Sequence, residues 1–326
     1  MSAASSIQII DAVAPRGALT PDQAEQATAS FPKPIGLADF LAMDIPPREL
    51  LLAPWLPEKG LAMVAAPRGI GKTHVALNVA YAVASGGSFL RWKAVTPRPV
   101  LYIDGEMPAV ALQERLARIA KHADMAPTPD ALALMAADLG EFGVPDLSTP
   151  EAQAALMPLL APYDLVVMDN LSTLCRSGRE NEAESWGAVQ GFLLALRRAG
   201  KSALLIHHTG KNGAQRGTSK REDVLDSVLL LKQPDDYDAS QGARFIVTFD
   251  KHRGFFGDDA KAFEAALDPL SGLWTVTEAT ASRDAEIREM KEQGFSLRDI
   301  GQELGVNAST VSRALKRMNG GSHAAD

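Results

Sequence analysis

The chain has one cysteine, Cys175, so it can close no disulfide on itself, and a disulfide-stapled secreted scaffold is excluded. A reducing, cytoplasmic setting is expected, with Cys175 a small buried filler. No apolar run approaches the roughly 20 residues a membrane-spanning helix needs, so no membrane partner is expected. The N-terminus lacks a basic start followed by a long apolar core, so no secretory signal is expected. An excess of positive charge is missing too. With 33 Lys and Arg against 40 Asp and Glu, the formal net charge is -7. That argues against a chain basic throughout, but a local basic patch for nucleic acid remains open. The 326 residues, 46% of them hydrophobic, suffice for one large globular domain and a small one.

What is present centres on residues 61–73. Leu61 to Ala65 is an apolar run that reads as a buried strand. It breaks into Ala66-Pro67-Arg68-Gly69-Ile70-Gly71-Lys72-Thr73, and an apolar-rich helix is predicted from Thr73 to about Ser85, ended by Gly86-Gly87. Strand, glycine-containing loop and helix are the setting of a phosphate-binding loop. Glycines let the backbone curl around phosphate oxygens, loop N–H groups bind them, and the helix N-terminus adds a favourable dipole. Lys72 is then placed to reach the β- and γ-phosphates of ATP, and Thr73 to hold Mg2+ through its hydroxyl. The first position of the pattern is Ala66 where glycine is usual, a small residue that asks little of the loop. The competing reading is an ordinary turn with a chance Gly-Lys-Thr, which the flanking elements disfavour.

Ahead of this core, residues 1–34 are rich in Ala, Ser and Pro and read as a mobile arm. Ile45-Pro46-Pro47 breaks any helix. Trp55 is expected to pack in the core rather than against a base. Beyond the loop, Val100 to Ile103 reads as a second parallel strand, finishing at Asp104-Gly105-Glu106 before a helix opened by Pro108. In open α/β sheets ligands sit beyond the carboxyl ends of the strands, so Asp104 and Glu106 are expected near the phosphates. A carboxylate there can orient an attacking water, whereas a capping or solvated acid is the plainer role, one that suits Asp104. Leu165-Val166-Val167-Met168-Asp169 is a buried strand that delivers a carboxylate to its end, and Asp169 is expected in the Mg2+ shell.

Ala203 to Ile206 is a further strand, ending at His207-His208. With no carboxylate or cysteine cluster nearby, metal binding is disfavoured, and a neutral sensor of the γ-phosphate or a structural pair remain. Thr209 to Arg221 is a glycine-broken loop carrying Lys211, Arg216, Lys220 and Arg221, suited to phosphates or to solvent. Strands are expected at 228–231, 245–249 and 273–276. The last segment changes character. A helix from Ser282 to Gln293, a second capped by Ser296, a turn at Gly305 and a third from Asn307 to Met318 have helix-turn-helix spacing. The third helix carries Ser309, Thr310, Arg313, Lys316 and Arg317 with no acid, which suits base edges and phosphates of DNA.

The order of Ala66–Thr73, Glu106, Asp169 and His207-His208 resembles the RecA-like ATPase core. More closely it resembles the plasmid RepA-type hexameric replicative helicases and related AAA ATPases of phages and integrative elements, over residues 45–277. The resemblance implies an α/β fold with a RecA-like P-loop core and a mostly parallel central sheet over residues 35–280. The small all-α helix-turn-helix module follows at 281–319, with a tail at 320–326. It implies ATP and Mg2+ as cofactors, Glu106 as the catalytic glutamate, Asp169 as the Walker B acid and His207 or His208 as the γ-phosphate sensor. Lys251 and Arg253, in Lys-His-Arg-Gly, resemble a pair projected into the next subunit's site. Arg216, in Arg-Gly-Thr-Ser, is the rival finger. Such trans residues imply a homo-oligomer, by analogy a hexameric ring passing single-stranded DNA; the helix-turn-helix, a departure from the compact plasmid helicases, is expected to hold duplex. A helicase-like motor of a mobile element is the expected function; a nucleotide-switched, sequence-specific DNA-binding regulator is the alternative.

Overall fold

Continuous apolar runs suit strands covered on both faces. In the computed structural model the runs at 61–66, 100–104 and 165–169 are such strands, every residue of them buried. The structure describes residues 32–176, 183–209, 223–234, 237–304 and 306–320. They fall into two units divided between Pro47 and Arg48. The first contains a short helix, α1 (Leu37–Ala42), which stops at the extended Met43 before the Ile45-Pro46-Pro47 break.

The second unit opens with a small antiparallel pair, β1 (Leu50–Leu52) and β2 (Leu56–Pro57), then β3 (Leu61–Ala66) and α2 (Lys72–Ser85). A second short pair, β4 (Ser88–Phe89) and β5 (Trp92–Lys93), precedes β6 (Val100–Asp104), α3 (Ala109–His122) and β7 (Leu132–Ala136). Next come α4 (Pro150–Leu156), β8 (Leu165–Asp169), α5 (Leu171–Leu174), α6 (Ala183–Arg198) and β9 (Ser202–His208). The sheet continues with β10 (Ser227–Lys232), β11 (Arg244–His252), β12 (Phe263–Leu267) and β13 (Trp274–Glu278). Three helices follow, α7 (Thr280–Glu292), α8 (Leu297–Glu303) and α9 (Ala308–Gly320).

The main sheet has the order β13-β12-β11-β10-β3-β9-β8-β6-β7. From β10 to β7 the strands run parallel, while β11, β12 and β13 add an antiparallel edge. Side-chain alternation divides the core in two. Val64, Tyr102, Val167 and Ile206 pack with α2 on one face. Met63, Ile103, Met168 and Leu205 pack with α6 on the other. The α2 helix is apolar nearly all round, as befits a helix enclosed on most sides. Trp55 is fully buried against Trp92 at 5.2 Å between ring centroids, the packing role expected of it. Strand β12 and the two short pairs had no counterpart in the sequence reading; the last two are only two or three residues per strand, too short to show a period.

Helices α7 to α9 close their own small core around Ile287, Ile300, Val311 and Ala314. Ser296 caps α8, its hydroxyl accepting from the Asp299 N–H at 3.2 Å. Gly301 admits the following turn, since a Cβ there would lie 2.7 Å from the Val306 carbonyl oxygen. Gly305 lies outside the described residues. No helix among the described residues is long and apolar enough to cross a membrane.

Candidate active site

Parallel strands β3, β6, β8 and β9 end together. Ala66 pairs with His208, and Asp104 with Asp169, so the polar ends of these strands share one edge of the sheet. Tyr102, Asp104, Asp169 and His208 continue the face covered by α2, two residues at a time along each strand. The connection from β3 to α2 is the loop 67–71. Gly69 and Gly71 have φ of +80° and +117°, conformations that side-chain-bearing residues rarely adopt. Gly71 also meets the segment leading into β11, since a Cβ on it would lie 3.1 Å from Ala243 Cβ.

Lys72 opens α2 and is buried; its Nζ donates to the Ala66 and Pro67 carbonyls at 2.8 and 2.7 Å. Burial lowers its pKa to about 8, against the pull of Asp169 and Glu106 upward and with Arg68 adding to the fall. An ammonium facing two carboxylates across a loop of backbone N–H groups is a preformed seat for polyphosphate. Asp169, buried at the end of β8, accepts from Tyr102 Oη at 2.6 Å and bonds the Thr73 hydroxyl. Burial pushes its pKa up, and those two hydrogen bonds, then Lys72 and His208, oppose the rise.

Glu106 lies just past β6 with its side chain 62% exposed, Asn170 Nδ2 donating to its Oε2 and His208 Nε2 3.8 Å from the same oxygen. Burial and then Lys72 lower the His208 pKa, so the imidazole is neutral at pH 7. Asp104 is different. It is buried, and its Oδ1 accepts from the N–H groups of Glu106 and Met107 at 3.0 and 2.6 Å. It closes the turn that aims Glu106, the capping role that suits it in the sequence. Burial is the main reason its pKa rises to about 6.

The AAA domain family matches residues 27–214, more than half of the chain, and a helix-turn-helix domain matches residues 285–318. The chain belongs to the AAA domain family. Among solved structures it is similar to the KaiC-like protein PH0186 from the hyperthermophilic archaeon Pyrococcus horikoshii OT3. That match has 14% identity and a TM-score of 0.50, over 68% of this chain and 90% of that one. At that identity the likeness speaks for the RecA-like fold alone. The AAA domain protein is therefore a RecA-fold ATPase with a C-terminal helix-turn-helix.

In this AAA domain protein the site gathers Lys72, Thr73, Glu106, Asp169 and His208. It separates the histidine pair: His207 pairs with Ala65 and by alternation shares the face of Leu205, away from the loop. Lys251 and Arg253 are held at the far end of the sheet. Lys251 pairs with Val228 beside the start of β3, and both side chains donate to the Asp223 carbonyl, at 3.4 and 3.3 Å. Neither can serve its own chain's loop. Arg216 lies outside the described residues. On α9, Ser309, Arg313 and Lys316 are exposed and Thr310 half-buried; the side chain of Arg317 lies outside the described set.

Two further features escaped the sequence reading. Tyr102 bonds Asp169 on the neighbouring strand, and Asn170 just past β8 bonds Glu106 just past β6, pairings no single stretch of chain displays. A cavity of about 200 Å³ also opens between α2 and α3, lined by His74, Asn78, Tyr81, Arg115 and Trp274. Burial and then Arg115 and Arg118 lower the His74 pKa to about 4, keeping it neutral. Among the described residues no three His, Cys, Asp or Glu side chains group as a metal site on their own. The bonded Thr73 hydroxyl and Asp169 carboxylate are hard oxygen donors that fit Mg2+, which usually relies on substrate phosphates for the rest of its shell.

Proposed function

We propose that the protein is an ATP-hydrolysing, DNA-binding motor of helicase type, assembled as a ring of like subunits. The observation that carries the reading is the convergence of Asp169 and Glu106 on Lys72 at one phosphate-binding loop, both acids within electrostatic reach of its ammonium. The loop N–H groups and Lys72 bind the β- and γ-phosphates. Thr73 and Asp169 would hold Mg2+, which supplies neutralisation of phosphate charge. Glu106 orients the attacking water beside the γ-phosphate. Asn170 fixes the Glu106 carboxylate, and neutral His208 senses the phosphate next to it.

Arg68, in the loop itself, acts electrostatically on Lys72 and His208, and a ring would add a charge-stabilising group from the neighbouring subunit. Lys251 and Arg253, turned away from their own loop, suit a neighbouring subunit's nucleotide, with Arg216 the rival. Exposed Ser309, Arg313 and Lys316 on α9 suit DNA phosphates and base edges. The self-contained core of α7–α9 also supports a second reading, a nucleotide-switched regulator that finds a DNA sequence without unwinding it.

ATP hydrolysis by wild type and Glu106→Gln, with and without single-stranded DNA, decides between them. Strong stimulation that the variant loses is expected of a motor. An unstimulated rate, with the variant still binding one duplex sequence, would overturn the motor reading.

A further inference from the structure

Tyr102 occupies the middle of β6 and is fully buried. Its direct partner on β8 is Val167, so Asp169 is its diagonal neighbour two residues further along the same face. That diagonal is within the span of a long aromatic side chain. The ring sits in the same apolar cluster as Val64, Val75 and Val167, a role phenylalanine would fill equally well. A hydroxyl adds only a desolvation cost there unless it is bonded. It is bonded, to Oδ2 of Asp169 at 2.6 Å, in the length range of a hydrogen bond to a charged acceptor. The same carboxylate bonds the Thr73 hydroxyl.

We propose that Tyr102 is a positioning residue for the divalent cation. It pins one oxygen of Asp169 from behind, so that the remaining lone pairs face Thr73. The final torsion of an aspartate is broad and intrinsically loose. With the hydroxyl in place the carboxylate is held; with a phenylalanine ring it is free to swing. The two common divalent ions feel that difference unequally. Mg2+ demands near-octahedral geometry at short distances, whereas Ca2+ accepts variable coordination. Tyr102 therefore matters most to Mg2+ and little to nucleotide binding without metal. This inference rests on the reading of the loop as a nucleotide and Mg2+ site.

The test is equilibrium binding of a fluorescent ADP analogue to full-length wild type and Tyr102→Phe, titrated with Mg2+, with Ca2+, or in a chelator. We expect the Mg2+ concentration for half effect to rise about 10-fold in Tyr102→Phe, with the Ca2+ titration shifted by less than about threefold and chelator binding unchanged. Identical Mg2+ titrations in the two proteins would overturn the proposal. So would an equal loss under all three conditions together with a lower Tm, which marks a core role alone. Wild type that binds no nucleotide in any condition overturns the site reading itself, and this inference with it.

Discussion

Replacing Gly71 by alanine tests the phosphate loop through two separable costs. The first is conformational. At φ +117° a Cβ is strained, at about 1–2 kcal/mol for a left-handed residue. The second is contact. The new methyl would lie 3.1 Å from Ala243 Cβ, closer than ordinary carbon–carbon contact, while Phe245 Cε1 at 3.4 Å is at the edge of ordinary contact. Ala243 immediately precedes β11 and the neighbouring Phe245 is fully buried, so the loop or the segment leading into the strand must shift, at about 1–3 kcal/mol. The sum, about 2–5 kcal/mol, is a large part of a typical domain's stability of about 5–15 kcal/mol. Gly69→Ala is the control: its φ is +80°, yet no atom lies within 4 Å of the added Cβ, so only the first cost applies. Urea denaturation should rank Gly71→Ala well below Gly69→Ala. Ala243→Gly in the Gly71→Ala background should restore about 1–3 kcal/mol by removing the closest contact. ADP binding should weaken in Gly71→Ala and recover in the double variant. Equal unfolding midpoints for the two glycine variants, with no recovery in the double variant, would refute the reasoning.

Asp226 accepts from the Leu61 N–H at 2.9 Å and from Arg197 at 2.6 Å, anchoring the start of β3. Asp226→Ala should cost about 2–4 kcal/mol in denaturant titration, because a buried donor and a guanidinium lose their acceptor. Asn170→Ala should lower kcat for ATP about 10- to 100-fold through a misplaced Glu106 while ADP affinity is kept, measured by steady-state hydrolysis and equilibrium binding. Burial raises the Cys175 pKa from 9.0 to about 12, so at pH 8 its thiolate fraction is about 1000-fold below that of an ordinary thiol. Labelling by a disulfide reagent should be slow by that factor until the protein unfolds. Ser296→Ala should lower the stability of the helix-turn-helix module by about 1 kcal/mol, followed by the loss of its helical signal on heating.

The local devices of this protein were legible in its sequence. The phosphate loop is a contiguous run whose glycines, lysine and threonine act through neighbouring backbone, and strands that must be buried on both faces announce themselves as unbroken apolar runs. The same logic exposed Asp169, since an acid closing such a run has only the sheet edge to occupy. The helix-turn-helix was visible because a serine cap, helical spacing and a glycine-broken turn are all short-range signals. What the sequence could not determine is which strands lie side by side and which parity of residue each presents. His207 and His208 are chemically identical, and register against β3 alone sends one towards the loop and the other behind the sheet. Tyr102 and Asp169 are 67 positions apart, as Asn170 and Glu106 are 64, and their bonds exist only because β6 lies against β8. Lys251 and Arg253 stand far from their own loop because β11 runs antiparallel to β10. Strand order, register and direction arise from contacts between distant segments, so the partners of each functional side chain were settled by the packed sheet.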